Sequence, residues 1–82
     1  MIGSRNDIRG LCFNWQRRDR SIVTVTALMA GGVLDSSLEF HIREAKKNGV
    51  TKEEVAEILT HAAFYAGWPK AWAAFRLAKE IY

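Results

Sequence analysis

Residues 38–69, LEFHIREAKKNGVTKEEVAEILTHAAFYAGWP, hold two helical patterns, the hinge between them and both histidines of the chain. In the first half Leu38, Ile42 and Ala45, with Leu34 ahead of them, recur at steps of three and four. Glu39, Arg43, Glu44, Lys46 and Lys47 fill the other sides, which is the pattern of an amphipathic helix. Asn48-Gly49 ends it: the two lysines face the negative end of the helix dipole, and glycine takes the left-handed conformation without steric cost. Thr51 followed by Glu53 and Glu54 then predicts a capped start for a second helix. That helix has one apolar face, Val55, Ile58, Leu59, Ala62 and Ala66, and a second stripe of Glu57, His61, Phe64 and Trp68 turned away from it. It therefore has something to bury on two sides. Gly67-Trp68-Pro69 predicts the next break, because a residue before proline is pushed out of the helical region and proline suits a first helical turn.

Working outward, residues 70–82 place Ala71, Ala74, Phe75, Ala78 and Tyr82 along one face with Arg76, Lys79 and Glu80 outside it, a packing helix. Residues 19–30, DRSIVTVTALMA, are apolar almost all round, and the run Ile22 to Thr26 alone would also suit a buried strand. Asp19 as a cap, the Ala-Leu-Met-Ala ending and the Gly31-Gly32 stop favour a helix, and one without a polar face is expected to sit centrally. Residues 1–15 have no clean period and two glycines; they read as an irregular segment gaining order near Leu11 to Trp15, ahead of a helical domain over residues 16–82. The fold class expected is all-α, a small domain of about four helices.

A chain of 82 residues is near the size at which one core leaves little margin, and 49% apolar residues with three tryptophans are a generous supply for so short a length. Surfaces buried between subunits are expected, and with them a homo-oligomer. The net charge of +3 is modest and its basic excess is gathered before residue 21, with no aromatic-interleaved basic patch later, which argues against nucleic acid. The lone Cys12 has no internal disulfide partner, and there is neither a secretory leader nor an apolar run long enough for a bilayer; a cytoplasmic protein with no membrane contact is expected.

RDRSIVTVTALMAGG (residues 18–32), HIREAKKNGVTKEEVAEIL (41–59) and HAAFYAGWPKA (61–71) resemble the carboxymuconolactone decarboxylase family in order and spacing. The resemblance implies an all-helical fold that assembles as rings, a trimer or hexamer. It also implies a family divided between lactone decarboxylases and thiol-dependent peroxidase-type members, and relatives with more helical chain ahead of the arginine-rich motif. In the peroxidase-type members a histidine at the place of His41 closes a Cys-x-x-Cys-x-x-x-His motif, and this chain has Leu34 and Ser37 where the cysteines stand. Their proton-relaying glutamate falls near Ser21. Dithiol chemistry needs an attacking and a resolving thiol side by side, so Cys12 is expected to be a bystander.

His41, between Leu38, Ile42 and Ala45, reads from its neighbours as a packed histidine and from the resemblance as a catalytic one. Two readings also stand for His61: a solvated pair with Glu57 one turn before it, or a titrating group at the rim of an apolar pocket walled by Phe64, Tyr65 and Trp68. Two histidines without a His-x-x-x-His or Glu-x-x-His grouping predict no metal. The activity that the resemblance implies is decarboxylation of a small carboxylated lactone or related acid without any cofactor. Arg20 and Ser21 either serve the structure, with Arg20 solvated or paired with a neighbour such as Asp19, or bind the carboxylate; in the catalytic reading His41 and His61 would give and orient a proton, and Glu57, Tyr65 and Trp68 would bind substrate as the pocket wall. A non-catalytic oligomeric relative is the alternative from another class, ahead of a thiol oxidoreductase.

Overall fold

Residues 16–82 are described by a computed structural model, and they form helices α1 (Arg17–Ala30), α2 (Ser36–Lys47), α3 (Lys52–Ala66) and α4 (Trp68–Ile81). Among the described residues there is no strand, and they are all-α, the class expected. The expectations for residues 1–15, including Cys12, lie outside the described residues.

The hinge between α2 and α3 follows its sequence closely. Gly49 has a φ of 97°, the left-handed conformation that ends α2. Thr51 then caps α3 by a complete capping box: its hydroxyl accepts from the Glu54 backbone N–H at 3.1 Å, and the Glu54 carboxylate accepts from the Thr51 N–H at 2.9 Å. The other Glu54 oxygen accepts from the Arg18 guanidinium, so the cap also ties the start of α1 to the start of α3. Thr51→Ala removes one of these bonds and is expected to cost about 1 kcal/mol, read as a lower urea midpoint at unchanged slope.

Three boundaries differ from the sequence reading. Leu34 lies ahead of α2 rather than in it, because Asp35 is the cap and its carboxylate accepts from the Ser37 N–H at 2.9 Å. α1 starts at Arg17 behind Gln16, so Asp19 is not its cap but an acidic residue of its first turn. The α3–α4 break falls on Gly67, with a φ of 102°, and Trp68 is already the first residue of α4 with Pro69 next.

α1 packs against the other three helices and α4 does the same, while α2 and α3 stand at opposite corners of the bundle. Met29, Leu38, Ile42 and Leu59 are fully buried where these faces meet. Burying side chains of this kind contributes roughly 1.5–3 kcal/mol each. α1 is central in its contacts but not in its burial: only Val25 and Met29 are enclosed, and Val23 is 50% exposed. The described residues cover only one side of α1, and its apolar outer side faces away from the other described helices.

The open end of the bundle is closed by polar contacts. Lys46 donates to the Ile81 carbonyl at 2.9 Å, and the Tyr82 hydroxyl donates to the Val50 carbonyl at 2.7 Å. Burial pushes the Tyr82 phenol above its ordinary value of 10.0. The folded-state pKa is thus raised, so this contribution is fully present below about pH 10 and is lost as the pH climbs through the folded pKa. The wild type is expected to be more stable than Tyr82→Phe at pH 8, and the gap should close above pH 10. A gap that stays constant in thermal melts up to pH 11 would contradict this account.

Candidate active site

α1 and α3 diverge on the face away from α2 and leave a groove of about 570 Å³. The α1 wall is Ile22, Thr26 and Ala30, which lie one above the other at steps of four. The Thr26 hydroxyl donates to the Ile22 carbonyl at 2.7 Å, so its proton is committed within the helix. On α3, Ile58 and Ala62 continue the apolar floor, and Glu57, His61 and Tyr65, again at steps of four, form the rim. The His61 and Tyr65 rings are 5.4 Å apart, tilted by 56°.

The groove therefore combines one carboxylate, one imidazole and one phenol with an otherwise apolar lining, in a space large enough for a six-carbon acid. A group that can exchange a proton next to a weakly solvating wall is the arrangement that general acid–base chemistry on an anion requires. Among the described residues no three His, Cys, Asp or Glu side chains converge to hold a metal ion, and no helix is long and apolar enough to cross a membrane.

The rim runs on into an aromatic surface. Phe64 is 73% exposed and Tyr65 82%, and Phe64 packs edge-on against Trp68 at 5.6 Å between ring centres. Trp72, at 59%, extends the patch along α4. The two-faced character read from α3 is thus present: one face is in the core and the other, with Glu57, His61 and Phe64, is at the surface and is continued by Trp68 at the start of α4.

The remaining site residues read from the sequence fall elsewhere. His41 is on α2, half-buried, with its ring edge-on to Phe40 at 5.1 Å, and α2 stands at the corner opposite α3. Ser21 accepts a hydrogen bond from the Asn48 side chain at 2.9 Å, which joins α1 to the hinge instead of the groove. Arg20 is exposed on the outer side of α1, on one stripe with Val23 and Ala27, and is not among the groove residues. Trp68 stands beyond the rim, behind Phe64. The sequence reading missed the α1 wall. The signal was the four-residue spacing of Ile22, Thr26 and Ala30, hidden in a segment apolar on nearly every side.

Residues 12–80 match the sequence pattern of the carboxymuconolactone decarboxylase family. Over 66 residues, 80% of this chain, the sequence is 42% identical to a 4-carboxymuconolactone decarboxylase of Acinetobacter baylyi, of which the match covers 48%. It is 40% identical over 60 residues to the nitrosuccinic acid decarboxylase npaB of Metarhizium robertsii, covering 67% of this chain and 41% of that one. A third relative, an uncharacterized 15.0 kDa protein of Paracoccus denitrificans, is 30% identical over 77 residues, 89% of this chain and 58% of its own length. The chain spans about half the length of the curated relatives it matches.

Proposed function

The chain belongs to the carboxymuconolactone decarboxylase family, and we propose from that premise that it decarboxylates a small carboxylated lactone or a related acid without a cofactor. The observation that carries the proposal is the groove between α1 and α3, where His61 and Glu57 face an apolar wall.

The acids named for two relatives pair a carboxylate with an electron-withdrawing group, a lactone in one and a nitro group in the other. In such an acid the bond to the carboxylate carbon breaks, CO2 leaves, and its electron pair passes to the withdrawing group. The resulting carbanion equivalent then takes one proton at carbon. An apolar wall favours the first step because the charge spreads from a compact carboxylate over a larger conjugated system, which needs less solvation. His61 supplies the proton for the second step and recovers one from solvent; Glu57, one turn before it on the same rim and not hydrogen-bonded to it in the single chain, would orient the imidazole once the groove is filled. Tyr65 walls the open end.

Arg20 is the cation suited to hold a carboxylate that stays on the substrate, by its planar fork of donors. It stands on the outer side of α1, so in this reading it serves a groove closed by a second copy of the chain, within a homo-oligomer such as a trimer or hexamer. The test is CO2 release from 4-carboxymuconolactone and from nitrosuccinate by the purified full chain. Release from either supports the reading; release from neither, at any protein concentration up to the solubility limit, leaves a packing module of the same family.

A further inference from the structure

Five lysines lie among the described residues, and they divide sharply by partner. Lys46 and Lys70 donate to helix-terminal carbonyls, of Ile81 and Ala30, and Lys47 pairs with Glu44. Among the described residues Lys52 and Lys79 have neither an ion pair nor a hydrogen bond, and both line one cleft of about 390 Å³ between α3 and α4. The rest of that lining is Val55, Ala56, Phe75, Ala78 and Tyr82, with no acidic side chain.

The placement of charge within the cleft is one-sided. α3 and α4 form a hairpin about Gly67, so the start of α3 lies beside the end of α4. Lys52 is the first residue of α3 and Lys79 is in the last turn of α4, which puts both cations at the open end of the hairpin. Phe75 and Ala56 lie deeper along the seam, one turn from those ends. Lys79 suits the helix end it occupies, but Lys52 is a cation in a first turn, where the dipole disfavours it. An anion between the two ammonium groups would offset that cost.

We propose that this cleft binds an amphiphilic carboxylic acid, with its carboxylate between Lys52 and Lys79 and its alkyl or aryl body along the seam of Val55, Ala56, Phe75 and Ala78. The site is separate from the His61 groove, which opens on the other side of α3 and shares no residue with it. Its volume is at the lower end of the range for small-molecule pockets, so a body of about ten carbons fills it. The proposal does not depend on the decarboxylase reading.

The probe is decanoate, titrated below its micellar range into the isotope-labelled full chain, with amide shifts followed by NMR. Saturating shifts are expected at Val55, Ala56, Ala78 and Lys79, with a Kd of roughly 1 mM or below for a ligand of this size. The variant Lys52→Gln/Lys79→Gln should bind roughly three- to tenfold more weakly, the range expected for two exposed ion pairs, and added salt should weaken the wild type more than the variant. Decan-1-ol should bind the wild type and the variant equally. Shifts centred on His61, or equal affinity of decanoate for wild type and variant, would overturn the proposal. So would the absence of saturation by 5 mM.

Discussion

His61→Gln is expected to lower turnover of a carboxylated lactone by roughly a hundredfold while leaving the fold intact, because the amide keeps one hydrogen bond of the imidazole but exchanges no proton near neutral pH. His61 is exposed at the groove rim, and surface substitutions of that kind usually shift stability by no more than about 0.5 kcal/mol. His41→Gln is the matched control. His41 is half-buried and packs on Phe40, so its loss should show in the melting temperature, by a few degrees in a domain this small, with turnover nearly unchanged. The two variants separate the roles by opposite signatures. If His61→Gln turned over at the parental rate, His61 would be a rim residue and the groove would lose its proton donor. If both variants lost activity and both kept their stability, the site would have to join His61 of one copy to His41 of another, since α2 and α3 stand at opposite corners of one chain.

The fold was legible where its signals are local. Asn48-Gly49 and Thr51 with Glu54 each fix a few backbone dihedrals by chemistry contained in four or five residues, and the structure places both as the sequence implies. The stripe of α3 with His61 was legible because its steps of four and three run regularly through the last two turns of α3, from Glu57 to Phe64. What the sequence left open depends on partners distant in the chain. Ser21 stands beside Arg20 in the sequence, and its hydroxyl accepts from the side chain of Asn48, 27 positions away. The α1 wall of the groove was hidden for a related reason: a helix apolar all round does not say which side meets its own chain and which does not. Arg18, two residues before Arg20, is the arginine that reaches Glu54 on α3.

The uncovered side of α1 and the aromatic patch of α3 and α4 together predict the state of the protein in solution. Phe64, Tyr65 and Trp72 are each more than half exposed in the single chain. An exposed cluster of large aromatic side chains marks an interaction surface, and such residues are the usual anchors of stable interfaces. The wild type is therefore expected to be a multimer by light scattering at micromolar concentration. In a closed symmetric assembly each copy carries the same substitution, so Phe64→Glu places a charge in every interface that uses this patch. It should weaken association by at least roughly a hundredfold, the scale of losing one aromatic anchor per contact, and the helical circular dichroism should be retained because Phe64 has no place in the core. If the second copy also closes the groove, the dissociated variant loses turnover although His61, Glu57 and Tyr65 are untouched. A wild type that scatters with the mass of one chain would remove the assembly, and with it the route by which Arg20 reaches the substrate.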